Sequence, residues 1–321
     1  MRVLITGGSG FIGSNLIPAL ARDHEVLSID PLPPRNPSCA GHWLEGSVLD
    51  GDWLRRTMRN FAPERVLHLG ARTDLRGKSL SDYEANTTGT SNVIEAVRRT
   101  DTVAHTVYTS SRLVFAIDHR PASSFDYKPS THYGVSKVRA EEIVRERAHE
   151  AGPWSIVRPT SIWGPWFEEP YRDFFDTIAA GRYVKMRGKD PLKSFGFVGN
   201  AVHQLTRILE MPPEVIDARV YWLSDYDPLR LSDWADAISE ELGRRRPLSA
   251  PFWLVRGAAL MGDVAQIAGI PRVPITSFRL RNLITDMVYD TSETREIVGE
   301  LPYSMRDGVR ETISWYRSHA R

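Results

Sequence analysis

The chain has 321 residues, 41% hydrophobic and 25% charged, the balance of a globular protein with one large or two medium domains. Its 41 Lys and Arg against 40 Asp and Glu leave a formal charge of +1, so no global field draws it toward nucleic acid or an acidic membrane. A single cysteine, Cys39, excludes an intramolecular disulfide and a Cys-rich zinc site. The opening run MRVLI is too short for a signal peptide, and no stretch approaches the ~18 consecutive apolar residues of a membrane span. The expectation is a cytoplasmic protein with neither membrane nor nucleic acid as partner.

Short apolar runs then alternate with helical patterns, as in a Rossmann-type, doubly wound parallel α/β sheet. Val3 to Thr6 reads as a first strand and Phe11 to Arg22 as the helix after it. Strands follow at Glu25–Asp30, His42–Glu45, Arg65–Leu69 and Val103–Thr109, and a sixth begins at Ser155–Val157. Helical periodicity covers Ser79–Arg99 and His132–Ala151. After Arg158-Pro159 the alternation weakens among Pro and aromatic residues, which places a boundary near 160. The reading is a dinucleotide-binding domain over 1–160 and a smaller, mostly helical substrate domain over 161–321, with a return to the first at about 193–223. Ser304 caps a closing helix with Met305, Val309, Ile313 and Tyr316 on one face. The stretch Trp253–Ala268 is apolar but broken by Arg256 and Asp263, so it reads as a buried or partner-facing helix rather than a membrane anchor.

Thr6 to Gly13 reads TGGSGFIG between the first strand and the first helix. Gly7, Gly8, Gly10 and Gly13 allow a tight turn and close backbone approach to a pyrophosphate, which the N–H groups of Phe11, Ile12 and Gly13 would then meet. Asp30 closes the second strand, 17 residues beyond Gly13, where a carboxylate accepts hydrogen bonds from both adenosine ribose hydroxyls. That carboxylate would repel a 2′-phosphate, so NAD is expected over NADP, although Arg35 in the PLPPRNP loop could neutralise a phosphate. Tyr133 and Lys137 are four residues apart and share a helix face. A phenol of pKa ~10 is a weak base, and a neighbouring ammonium with a nicotinium ring would lower that value. Ser111, in the TSS run at the end of the fifth strand, would place a hydroxyl at the ligand edge of the sheet. Arg112 beside it could meet a phosphate or carboxylate. The nine histidines show no metal-ligand spacing, so no metal is expected, and His68 reads as a core histidine.

These motifs resemble the extended short-chain dehydrogenase/reductase superfamily, in its nucleotide-sugar epimerase and dehydratase branch. The resemblance takes in TGGSGFIG, Asp30, HLGA at 68–71, NTTGTSNVIEA from Asn86, TSS, YGVSK, RPTSIWGP at 158–165 and the closing LPYSMRDGVRETISWYR. It implies a catalytic hydroxyl at Ser111, a base at Tyr133, and Lys137 on the nicotinamide ribose. It places Ser47 and Val48 near the adenine, Leu69, Gly70, Ala71 and Asn86 near the dinucleotide, and Pro159 near the nicotinamide. It also implies a homodimer through the helices near 86–99 and 133–150.

Departures from the pattern sharpen the expected reaction. Similar 4,6-dehydratases follow the hydroxyl residue with Asp-Glu, whereas Ser111 is followed by Arg112 and Leu113. Ser161 and Trp163 stand where relatives often carry Asn and Tyr beside the sugar, and Lys193 replaces an arginine that grips the diphosphate. Trp163 and Trp166 could otherwise stack on a base or sugar. The reading is a nucleotide-sugar epimerase acting at C4 through a keto intermediate. A keto-sugar reductase or an alcohol dehydrogenase for a sugar or steroid-like substrate uses the same three residues. A dinucleotide sensor is the third alternative, disfavoured by the intact Ser-Tyr-Lys set.

Overall fold

The computed structural model describes residues 1–168, 171–270 and 275–319. They form two compact units, the first made of Met1–Ile162, Gly196–Asp225 and Asp290–Pro302 and the second of Trp163–Phe195, Tyr226–Tyr289 and Tyr303–Arg321. The return of Asp290–Pro302 to the first unit has no counterpart in the sequence reading.

The first unit is a seven-stranded sheet with a helix between most strands. Its elements are β1 (Arg2–Thr6), α1 (Phe11–Leu20), β2 (Glu25–Asp30), β3 (Trp43–Glu45), α2 (Gly51–Phe61) and β4 (Arg65–His68). They continue with α3 (Glu84–Arg98), β5 (His105–Thr109), α4 (His132–Arg147), β6 (Trp154–Pro159), α5 (Val198–Glu210) and β7 (Arg219–Leu223). The strand order is β7-β6-β5-β4-β1-β2-β3, parallel throughout. Strands covered on both faces are apolar nearly residue by residue: Val3, Leu4 and Ile5 of β1 and Val66 and Leu67 of β4 are fully buried. The order reverses between β1 and β4, where Thr6 lies in register with His68, so the carboxyl ends of these two strands open the crevice in which such sheets bind ligands.

One local feature explains how a proline fits inside α1. Pro18 has no N–H to offer the Ser14 carbonyl, four residues back. The Asn36 side-chain amide donates to that carbonyl instead, at 2.8 Å, so the proline-rich 31–37 loop is pinned against the helix it follows. Helix α2 was absent from the sequence reading. Asp50 caps it by accepting from the Trp53 N–H at 3.0 Å, and only Leu54 and Met58 are fully buried along it.

The second unit has an aromatic core. Trp163, Phe175 and Trp234 are fully buried, with Trp163 and Trp234 ring centres 5.2 Å apart, and Phe174 stacks on Trp234 at 4.7 Å. Met305–Ser318, the closing helix, begins with a reciprocal cap in which Ser304 accepts from the Asp307 N–H and the Asp307 carboxylate accepts from the Ser304 N–H. A small satellite core of Met186, Ala259 and Leu280 joins the helices Phe252–Ile267 and Ser277–Ile284.

Candidate active site

The loop between β1 and α1 is held open by glycines with different tasks. Gly7 has φ +75°, and a Cβ there would lie 2.5 Å from the Gly70 backbone nitrogen, so the loops after β1 and β4 meet backbone to backbone. A Cβ on Gly13 would lie 2.3 Å from the Gly8 carbonyl oxygen. Gly10 is different: a Cβ there would meet only the Gly7 carbonyl, at 3.3 Å. The protein itself therefore leaves the space over Gly10 empty, at a helix start with no side-chain cap, and a pyrophosphate fits that cradle. Phe11 and Ile12 supply the first turn of α1 there.

Asp30 ends β2 beside this loop. Its carboxylate accepts from the Ser9 N–H at 3.2 Å and the Leu32 N–H at 3.0 Å, which leaves lone pairs for two further donors such as ribose hydroxyls. Burial pushes its pKa up, and those two N–H groups and the Arg35 charge oppose the shift. Ser47 and Val48 follow β3 and are anchored by Asn92, whose amide donates to the Val48 carbonyl at 2.9 Å. Leu69, Gly70 and Ala71 follow β4. The Leu69 N–H donates to the Thr6 carbonyl at 3.0 Å and the Gly70 N–H to the Thr6 hydroxyl oxygen at 3.2 Å.

A hydrogen-bonded relay runs beneath these loops. The Thr6 hydroxyl lies 2.7 Å from His68 Nδ1, and His68 Nε2 lies 3.1 Å from the Thr90 hydroxyl, which donates to the Asn86 carbonyl at 2.8 Å. Because Thr6 already accepts from Gly70 and Thr90 already donates to Asn86, the histidine is assigned as neutral with its proton on Nε2. Burial, with the Lys137 charge, pushes its pKa down to about 3, in agreement. His68 is a satisfied core histidine.

Asn86, expected near the dinucleotide, has its side chain engaged by the protein. Its amide donates to the Arg72 carbonyl at 3.0 Å and to Ser136 Oγ at 2.8 Å, and its oxygen accepts from the Arg72 N–H at 2.8 Å. It clamps the loop after β4 to α4 rather than reaching out of it.

Helix α4 carries Tyr133 and Lys137. It starts at Thr131, which accepts from the Gly134 N–H at 3.0 Å and so sets the helix origin two residues before Tyr133. Tyr133 is 7% exposed, and burial pushes its pKa up to about 12. The nearby Ser111 hydroxyl opposes that shift, and its oxygen accepts from the Leu113 N–H at 3.2 Å. Lys137 is 4% exposed, and burial pushes its pKa down to about 8, with Glu141 resisting. Its ammonium donates to the Thr109 carbonyl at 2.9 Å. The Lys137 ammonium is thus held at the end of β5, one turn of α4 beyond Tyr133. Ser111, Tyr133 and Lys137 are all buried at the carboxyl end of β5, the edge that also holds the glycine loop on β1. Pro159 ends β6 in register with Leu223.

The sequence reading missed a buried ion pair behind this set. Glu141, one turn after Lys137, accepts from Arg158 Nε at 2.8 Å and from Nη2 at 2.5 Å, and both side chains are 1% exposed. The Tyr127 hydroxyl donates to Glu141 at 2.7 Å, and Arg158 Nη2 also donates to the Ser124 carbonyl at 2.7 Å. Phe115, Trp222 and Tyr127 surround the guanidinium at 5.2, 5.6 and 5.8 Å. The available signal was Glu141 four residues after Lys137, together with an arginine just before Pro159.

The residues expected at the substrate divide. Arg112 is half-buried beside Ser111, and its Nη1 is buried without a hydrogen-bond partner among the described residues. Ser161 is buried two residues after Pro159. Trp163 is corrected: it is fully buried in the aromatic core of the second unit, so no face is open for a base or sugar. Trp166 packs on Trp315 and His319, with centroids at 5.7 and 4.9 Å. Lys193 is also corrected, because it is 1% exposed and its ammonium donates to the carbonyls of Asn282 and Thr285 at the end of the Ser277–Ile284 helix. There it compensates the negative end of a helix instead of gripping a diphosphate.

Comparison with known proteins agrees with this geometry. The chain is 25% identical to an N-acetyl-alpha-D-glucosaminyl-diphospho-ditrans,octacis-undecaprenol 4-epimerase of Escherichia coli O157:H7, over 99% of this chain and 96% of that one. It is 26% identical to a 3 beta-hydroxysteroid dehydrogenase/Delta 5-->4-isomerase of Mycobacterium tuberculosis, over 99% and 90%. Its fold is similar to that of a UDP-glucose 4-epimerase from Thermotoga maritima solved with UDP-glucose, with a TM-score of 0.75, 18% identity and full coverage of both chains. The model of the NAD dependent epimerase/dehydratase family matches residues 3–223, which hold the glycine loop, Asp30, Ser111, Tyr133 and Lys137. With a pyrophosphate cradle, a ribose-ready carboxylate and a buried Ser-Tyr-Lys set in one sheet edge, the chain belongs to that family of NAD-dependent enzymes.

Proposed function

We propose that this enzyme is a sugar 4-epimerase acting on a diphosphate-linked sugar through a transient ketone. The observation that carries the reading is the pairing of a complete Ser111-Tyr133-Lys137 set with Arg112 and Leu113 where an eliminating enzyme needs an acid and a base. Bound NAD supplies reversible hydride exchange and, when oxidised, a positive charge near the phenol. Tyr133 takes the proton of the C4 hydroxyl and returns one when the ketone is reduced. The Ser111 hydroxyl donates to the substrate oxygen and so holds it beside the Tyr133 phenol. Lys137 keeps a cation on the same helix face and positions the ribose. Arg112, whose buried Nη1 has no hydrogen-bond partner among the described residues, is the group assigned to the substrate's anionic portion.

A second reading is a net dehydrogenase or reductase for a sugar or an amphiphilic alcohol. Lys193 favours it, because its ammonium is committed to a helix end and is not open to a diphosphate. Similarity to the steroid dehydrogenase, about equal to that for the epimerase, also supports it. The test is to denature the purified protein and identify what it releases. An epimerase yields NAD, mostly oxidised, in a one-to-one ratio with the chain. A site that arrives empty and takes added NADPH in preference to NAD would overturn the epimerase and the reading of Asp30 together.

A further inference from the structure

The sequence reading took Trp253–Ala268 as buried or partner-facing, and the structure shows a helix, Phe252–Ile267, that is buried along one edge only. Ala259 and Gly262 are its buried residues, Ala259 in the satellite core, while Trp253, Met261, Val264 and Ile267 are 69, 75, 67 and 87% exposed. Trp253, Leu260, Val264 and Ile267 follow helical spacing, so they form one outward stripe. Phe278 on the neighbouring Ser277–Ile284 helix is also exposed, at 65%. The one acidic group on the long helix is engaged by protein, since the Asp263 carboxylate accepts from the Ser277 N–H at 2.9 Å. An apolar stripe of this extent marks an interaction surface.

Charge identifies what it meets. Between Gly243 and Ile284 the sequence has seven arginines, of which Arg246 is ion-paired with Glu240, and a single acidic residue, Asp263, in a chain whose overall charge is only +1. A second copy docking on the same face would bring arginines against arginines, because a two-fold interface apposes each patch with itself. An anionic surface is complementary to the patch. At 16 residues the helix spans about 24 Å, and no helix among the described residues is long and apolar enough to cross a membrane. A helix with this composition lies in the plane of a bilayer, with Trp253 at the headgroup level and arginines on the lipid phosphates.

We infer that the Phe252–Ile267 helix, with its arginine-rich flanks, docks the enzyme on an anionic lipid bilayer. The inference replaces the expectation of no membrane partner, rests on this surface alone and holds for either reading of the reaction. The test is co-sedimentation of the full chain with vesicles of phosphatidylcholine, with and without phosphatidylglycerol. Wild-type protein should partition about tenfold or more in favour of the phosphatidylglycerol vesicles, and salt should weaken the binding. The double variant Met261→Asp, Val264→Asp should lose at least about tenfold in partition while retaining wild-type NAD content and sedimentation in solution. Arg256→Glu, which leaves the apolar stripe intact, should weaken binding to anionic vesicles alone. Failure of the wild type to bind, or equal binding by the double variant, would overturn the inference. So would a concentration-dependent dimer of the wild type that the double variant abolishes, since the face would then belong to a second copy.

Discussion

Replacing Tyr133 with phenylalanine lowers kcat by about 10²- to 10⁴-fold with bound NAD retained. The substitution removes one oxygen from a side chain that is 7% exposed, so the ring still fills its site and α4 still begins at Thr131. What is lost is the phenol two residues after this helix start, with the Ser111 hydroxyl nearby. With burial raising its pKa to about 12, Tyr133 is a phenol at neutral pH before cofactor binds, ready to donate the proton that reduction of a ketone requires. The reverse direction needs the positive charge of oxidised cofactor nearby. The check is turnover measured alongside dinucleotide content after denaturation. A variant with full NAD content and wild-type kcat would remove Tyr133 from the chemistry.

The second large effect is on stability. Arg158→Met leaves the Glu141 carboxylate buried beside one phenol, and breaking such a pair from one side costs about 3–5 kcal/mol. Glu141→Gln strands the guanidinium among Phe115, Trp222 and Tyr127 and costs a similar amount. The double variant loses less than the sum, because neither charge remains unpaired. Urea unfolding of the four proteins measures this directly. Changes below about 1 kcal/mol in each single variant would show the pair to be a bystander. A second readout separates position from stability. Glu141 resists the downward shift of Lys137, whose pKa burial lowers from 10.5 to about 8. The Lys137 charge is present below that value and lost above it, so removing Glu141 moves the alkaline fall in activity to lower pH.

The glycine loop, Asp30 and the Ser-Tyr-Lys set were legible in the sequence because each is a short-range pattern. A strand, a turn that tolerates no Cβ and a helix start lie within Thr6–Gly13, and Tyr133 and Lys137 share a helix face through spacing alone. What escaped was decided by partners distant in sequence. Arg158 and Glu141 are 17 residues apart on different elements, and nothing in either segment shows that the other will be there. Trp163 and Lys193 were read from the family pattern, yet packing in the second unit decided their roles: an aromatic core took the indole and a helix end took the ammonium. Helix α2 has too few apolar positions to stand out, with Leu54 and Met58 its only fully buried residues. Trp253–Ala268 shows the opposite limit. Composition marks a helix as apolar, but only the fold shows which of its faces lacks a neighbour.

The most direct test of the account is to follow one hydride. Substrate carrying deuterium on the carbon that is oxidised is turned over in the presence of excess unlabelled NAD, and the product is examined by mass spectrometry. The account predicts that the label leaves and returns within one catalytic cycle, so the epimerised product keeps its deuterium and none enters the free dinucleotide. Product without deuterium, with the label recovered in free NADH, would contradict it and make the enzyme a net oxidoreductase.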